Sequence, residues 1–109
     1  MINCKQRVIA REKLEEYLLS STHLVGRAKA KFFRHFGFNE SNLERLETGL
    51  LLISTAGDVK DRLQTPYGTK FVIEGMLDTP VGNRVKIRTV WMLESKEDVL
   101  RFLTAYPAR

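Results

Sequence analysis

Apolar residues recur at helical spacing through the first half of the chain. In "AREKLEEYLLSS", Leu14, Tyr17 and Leu18 fall on one side, which predicts an amphipathic helix. "GRAKAKFFRHFGF" predicts a second helix that ends before Gly37, the position that glycine favours after a helix C-terminus. A third helix is predicted up to Gly57, with an apolar face formed by Leu43, Leu46, Leu50 and Ile53. Ser41 and Glu44 have capping-box spacing, so we expect Ser41 to begin that helix.

The second half of the chain has the pattern of strands joined by turns. "TKFVIEGML" follows the turn "TPYGT", and "RVKIRTVWML" follows the turn "DTPVGN". "DVKDRLQ" is a weaker strand, and "VLRFLTAYP" is the last one. Short turns between four successive strands predict an antiparallel meander. The fold class is therefore α+β, with about three N-terminal helices packed on one face of a four-stranded sheet.

Alternation along the strands predicts which side chains share a face. Trp91 and Thr89 fall on one face of their strand, together with Val85, Ile87 and Leu93, and Arg88 falls on the other. In the last strand, we expect Phe102, Thr104 and Tyr106 to share a face. Glu74, Arg88 and the Thr104/Tyr106 pair would then form a polar patch if the strand register aligns them. A solvated face with Glu–Arg pairing across strands explains the same residues.

Composition limits the class of protein. With 109 residues, 43% apolar and 28% charged, the chain is long enough for one ordinary domain, taken as residues 1–109. We find no signal-peptide pattern and no apolar run long enough to cross a membrane. The single cysteine, Cys4, favours a reducing cytoplasm, and two histidines with one cysteine make a structural zinc site improbable. No cofactor or metal is expected.

The positive charge is clustered. Lysine and arginine exceed the acids by 18 to 13. Residues 27–38 contain four basic side chains and no acid, and residues 81–93 contain three more. Such clusters favour a polyanionic partner such as RNA, although two solvated basic surfaces explain them equally well.

Lys29 departs from the pattern of its helix. At about 100° per residue, Lys29 falls inside the apolar arc of the second helix rather than with the other cations. Such a lysine must extend into solvent, contact an anion or change its pKa. His23 precedes the helix by a few residues and is the side chain type that most often moves protons near neutral pH. Both also have ordinary structural explanations.

Three linked motifs carry a resemblance over most of the chain. "HLVGRAKAKFF", "TPYGTKFVIEG" and "RTVWMLESKEDVLRFLTAYP" resemble a family of small bacterial domains of unknown function. That family shows H-x-x-G-x-x-K-x-x-F-F, T-P-Y-G-T-K and R-T-V-W…T-A-Y-P motifs. The family description implies no chemistry.

The order of elements is also similar to the barnase, EndoU, colicin and RelE-like ribonuclease superfamily, which includes many bacterial toxins. That resemblance implies metal-independent RNA cleavage and a cognate antitoxin or immunity protein. Carried over, it makes His23 the acid/base, Lys29 and Arg88 the phosphate ligands, and Thr104 and Tyr106 the residues of the terminal strand. The resemblance is at the level of the fold, which does not determine function.

Two other functions compete with a ribonuclease. The first is a non-catalytic module that binds protein or nucleic acid, with Lys29 in a structural role. The second, a small-ligand or nucleotide-processing enzyme, ranks last because Gly26 and Gly68 form no phosphate-loop pattern.

Overall fold

A five-stranded sheet with helices packed on one face makes up the fold. The computed structural model describes residues 2, 4–18, 27–94 and 96–108, without the side chains of residues 16–18 and 27–29. Its elements in chain order are β1 (Gln6–Val8), a π-helical segment (Lys13–Leu18), α1 (Arg27–His35), a 3-10 turn (Glu40–Asn42), α2 (Leu43–Ala56), β2 (Asp58–Thr65), β3 (Gly68–Asp78), β4 (Arg84–Glu94) and β5 (Val99–Pro107). None of the helices within these ranges is long and apolar enough to cross a membrane.

The predicted meander is only part of the sheet. Strands β2 to β5 pair in sequence and antiparallel, in the order β5-β4-β3-β2. β1 adds a fifth strand on the outer side of β5, and this pair is parallel. The expectation of four strands was therefore wrong. β1 has three residues and no alternating pattern, so its place depends on pairing with a strand distant in the sequence.

The helices pack against one face of the sheet and leave the other face open. Apolar side chains from α1, α2 and the π-helical segment join those of the strands in one cluster, which includes Leu14, Phe33, Leu46, Leu50, Ile53, Phe71, Ile73, Leu77, Ile87, Trp91, Leu100, Phe102 and Ala105. We call the opposite side of the sheet the open face, because no helix of the described ranges packs on it.

Helix α2 runs antiparallel to the second half of β3. Arg45 at its start donates a hydrogen bond to the Thr79 carbonyl (3.2 Å). A Cβ at Gly49 would lie 2.3 Å from Leu77 Cδ1, which shows how closely helix and strand approach. Four helix residues rise about 6 Å and two strand residues rise about 6.8 Å, so every fourth residue of α2 meets every second residue of β3.

The ends of the helices agree with the sequence except at one cap. Gly37, with φ of +94°, follows α1, and the Gly57 amide donates to the Ile53 carbonyl (2.8 Å) at the end of α2. The capping box uses Asn39 and Asn42, not Ser41 and Glu44 as predicted. Asparagine caps as well as serine does, and here it begins a 3-10 turn one step before α2.

Trp91 is held in the core by two consecutive hydrogen bonds. Its Nε1–H donates to Thr89 Oγ1 (2.7 Å), and the Thr89 hydroxyl donates to the Ile73 carbonyl (2.9 Å). Both side chains are fully buried. An unpaired indole N–H would be costly at this depth, so Thr89 supplies a necessary acceptor.

We predict that Thr89→Val lowers the free energy of unfolding by about 1–3 kcal/mol, because it leaves the Trp91 N–H buried without an acceptor. In a Trp91→Phe background that N–H is already absent, so the same substitution should cost less. Urea unfolding of the two single variants and the double variant measures the coupling. Equal costs in the two backgrounds would contradict the hydrogen-bond assignment.

Gly68 and Gly82 form a matched pair, since both have positive φ. A Cβ at Gly68 would lie 2.1 Å from the Leu93 carbonyl oxygen, whereas nothing lies within 4 Å of one at Gly82. We expect Gly82→Ala to cost about 1–2 kcal/mol of unfolding free energy through backbone strain alone. Gly68→Ala should cost about 1–3 kcal/mol more, because the added methyl group also overpacks the hairpin. Urea denaturation compares them, and similar losses would argue against the close approach of the strands.

Candidate functional site

Four side chains of the open face form a row across the sheet. Glu74 of β3 lies opposite Arg88 of β4, which lies opposite Tyr106 of β5. Lys60 of β2 reaches Glu74 from the other side, with Nζ 3.5 Å from Oε2. We call Lys60, Glu74, Arg88 and Tyr106 the central row.

Two cations of the central row share one carboxylate. Arg88 Nε donates to Glu74 Oε1 at 3.3 Å, and Lys60 contacts the other oxygen. The Glu74 side chain is only 12% exposed, whereas Arg88 is 38% and Lys60 42% exposed. The row therefore carries one uncompensated positive charge with its cations accessible to solvent, and exposed Lys86 lies two residues before Arg88 on the same face.

Glu74 is ionised under neutral conditions. Burial disfavours its charged form and acts to raise its pKa, and this is the largest single influence. The hydrogen bond from Arg88 and the charges of Lys60 and Arg88 together outweigh burial, so the pKa of Glu74 is lowered. A ligand that drew both cations away would leave the effect of burial unopposed.

A bulge in β5 determines which side chains join the central row. Val90 lies opposite Thr104, but Trp91 lies opposite Phe102, so the register shifts by one residue. Phe102 therefore faces the helices, whereas Thr104 and Tyr106 face the open side. The expectation that these three residues share a face was wrong, because strict alternation does not hold across a bulge.

An apolar strip lies beside the central row. Val72, Val90 and Thr104 are consecutive partners across β3, β4 and β5 on the open face. Val90 is buried although no described helix covers it. The open face thus presents a hydroxyl and aliphatic surface next to a cationic one.

Only three of the five predicted site residues are found together in the described part of the structure. Arg88, Thr104 and Tyr106 come together on the open face. Lys29 lies in α1, which packs on the other face, and its side chain is outside the described part. His23 lies outside the described residues. One pocket that joins the helix residues to the strand residues therefore finds no support in the described ranges.

Sequence reasoning included Glu74 in a possible polar patch with Arg88 but left the strand register open, and it missed Lys60. The position of Glu74 could have been found by counting back from the turn between Thr79 and Asn83, which aligns Glu74 with Arg88. Lys60 gave no such signal, because it occupies an irregular step between Val59 and Asp61 in β2. Within the described ranges, no three His, Cys, Asp or Glu side chains come together as a metal site.

Comparison with known proteins gives a structural neighbour and a family. A chain of the contact-dependent growth inhibition toxin–immunity protein complex from Klebsiella pneumoniae 342 matches with a TM-score of 0.77. The match covers 94% of this chain and 93% of that chain at 14% identity, so it shows a shared fold. No curated protein matches the sequence significantly. The model of a family described as "Domain of unknown function (DUF6883)" matches residues 1–109, and the chain belongs to that family.

Proposed function

We propose that this domain is a toxin-type ribonuclease that binds RNA on the open face and cleaves it without a metal ion. One observation carries the proposal: two accessible cations, Lys60 and Arg88, share the single carboxylate of Glu74, and Tyr106 is the partner of Arg88 on the next strand. The shared fold with a chain of a toxin–immunity complex supports the toxin type. RNA in the cytoplasm is the proposed substrate, and an immunity protein is a proposed partner.

Arg88 is the proposed phosphate ligand. A guanidinium can donate two parallel hydrogen bonds to a phosphate, and Arg88 is accessible enough to do so. Tyr106 can stack on a base or donate a hydrogen bond, and Thr104 can donate to a phosphate oxygen. Lys60 adds a second positive charge where negative charge grows on the phosphorus oxygens.

Cleavage needs a base and an acid. The base removes the proton of the ribose 2′-hydroxyl, the 2′-oxygen attacks phosphorus, and the bond to the 5′-oxygen breaks as the acid protonates it. The products are a 2′,3′-cyclic phosphate and a 5′-hydroxyl. Once phosphate draws Arg88 and Lys60 away, burial raises the pKa of Glu74, so Glu74 becomes a stronger base. The acid/base role of His23 and the phosphate role of Lys29 stay predictions from the sequence, because His23 and the side chain of Lys29 lie outside the described part of the chain.

The ion pairs among Lys60, Glu74 and Arg88 also favour a second candidate function, a non-catalytic binding module. Lys60, Glu74 and Arg88 already pair with one another, as cross-strand residues of a solvated sheet face do. On this alternative, the open face binds a partner and no bond is broken. Induced expression in bacteria separates the two functions, since a free ribonuclease should arrest growth and a binding module should not.

We predict that Arg88→Ala lowers the rate of cutting of bacterial total RNA by about 10²–10³-fold, because it removes a donor to the transition-state charge. His23→Ala should lower the rate as well. Arg34→Ala is the matched control: it removes the same charge from α1, on the other side of the sheet, and should cut at the wild-type rate. Gel analysis of RNA fragments gives the rates, and unchanged melting temperatures confirm folding. Equal cutting by wild type, His23→Ala and Arg88→Ala would refute the ribonuclease proposal.

We predict that Glu74→Gln lowers stability at pH 7 and that this loss shrinks in acid. Because the folded-state pKa of Glu74 is lowered, its ionised form stabilises the fold above the ordinary value of 4.5. That contribution is lost as pH falls through the lowered pKa. Urea unfolding from pH 7 to pH 3 should therefore show the wild-type and variant curves converging below about pH 4.5. A constant offset across the range would contradict the pairing.

A further inference from the structure

The last four residues of β3, Gly75–Asp78, have one edge to which no other described strand pairs. β2 pairs with β3 only as far as Asp58 opposite Glu74, whereas β4 pairs with β3 along its whole length. Gly75–Asp78 therefore has no strand on its outer side among the described residues. In an antiparallel strand, alternate residues direct both N–H and C=O to the same side, so this edge presents backbone donors and acceptors outward. Four residues span about 13 Å.

A groove runs between this edge and helix α2. Its volume is about 600 Å³, and its apolar lining includes Leu52, Ile53 and Ala56 from α2 and Gly75 and Met76 from β3. Leu52 is 59% exposed and Met76 45% exposed, so both walls of the groove offer accessible apolar side chains. The helix thus forms one wall and the free strand edge the other.

The other exposed edge in this region is protected in a way that Gly75–Asp78 is not. The edge strand β2 carries the charged side chains of Asp58, Lys60, Asp61 and Arg62, and its pairing is irregular between Val59 and Asp61. Charges and bulges on an edge strand discourage the addition of another strand. Gly75–Leu77 has neither a charged side chain nor a bulge. This part of the edge is therefore both apolar and open to pairing with another strand.

The charges at the groove indicate what it can accept. Its lining includes two acids, Glu44 and Asp78, and two bases, Arg45 and Arg84. Asp78 and Arg84 pair with each other at 2.7 Å, and Arg45 donates to the Thr79 carbonyl. The walls therefore carry no net charge, and a segment without charge complements them.

We propose that the groove between α2 and β3 binds an extended, uncharged, apolar segment of a partner protein. The segment pairs with Gly75–Asp78 as an added strand and places alternate side chains against Leu52, Ile53 and Ala56. The backbone of an extended segment can form hydrogen bonds with the unpaired strand edge. The apolar wall formed by α2 favours apolar side chains on that segment. The site is distinct from the central row and does not depend on RNA cutting.

The test uses linear heptapeptides displayed on phage and selected on the purified protein. We expect enriched peptides with alternating apolar residues and no charge at their centre. In ¹⁵N spectra, a synthetic peptide from this selection should shift the amide signals of Gly75–Asp78 and slow their hydrogen exchange. Methylating alternate peptide amides should abolish binding, whereas methylating the amides between them should not, because only one set pairs with the edge.

Two matched variants show whether the groove is the site. Leu52→Glu puts a charge on the groove wall and should weaken peptide binding at least about tenfold, since burying an unpaired charge is costly. Val81→Glu changes a side chain of the same 59% exposure outside the groove and should bind as the wild type does. Both positions are exposed, so both variants should fold, which circular dichroism checks.

Three results would overturn the proposal. The first is a selection that enriches no peptide. The second is peptide binding that is equally strong in Leu52→Glu and wild type, or that is affected equally by methylating either alternating set of peptide amides. The third is concentration-dependent dimerisation of the protein that Leu52→Glu abolishes, because a second copy of the chain would then occupy the edge.

Discussion

The burial of Trp91 and Thr89 decides the arrangement of the whole sheet. β4 is the central strand, and the hydrogen bonds from Trp91 to Thr89 and from Thr89 to Ile73 tie it to β3 on the side of the helices. A strand alternates with a period of two, so fixing these side chains inward directs Arg88 to the open face. A slip of one residue would bury the guanidinium and expose the indole. The position of the candidate phosphate ligand thus follows from a packing constraint on its neighbours.

The bulge in β5 is the second constraint on the site. Without the register shift near Trp91, Tyr106 would lie on the same side as Phe102, under the helices, and not opposite Arg88 on the open face. One additional residue in β5 therefore changes which alternate residues face the core: Leu100 and Phe102 do so before the bulge and Ala105 after it, which leaves Thr104 and Tyr106 on the open face. Bulges redirect side chains in this way next to functional sites.

Much of the fold can be predicted from local patterns, but the irregular steps cannot. The helical spacing of α1 and α2, the glycines after them and the alternation of β4 all predict what the structure has. The first predicted helix is instead a short π-helical segment, Lys13–Leu18, and β1 precedes it. β1, the bulge in β5 and the capping role of Asn39 could not be predicted, because each depends on contacts distant in the sequence or on a choice between equally good caps. For the site, strand alternation and the resemblance to ribonucleases identified Arg88 and Tyr106 as candidates. Neither could show that the sheet separates α1 from them, because the side on which a helix packs is a tertiary property.

The central row and the groove between α2 and β3 both depend on β3, but on different groups of that strand. Glu74 directs its side chain to the open face, whereas the next four residues of β3 present backbone groups at the edge. A strand added at that edge would lie about 4.8 Å from β3 and would extend the open face. Its outward side chains would then stand beside Met76, two residues from Glu74. The central row and the groove therefore adjoin on β3 but use different groups of the strand, side chains at the open face and backbone groups at the edge.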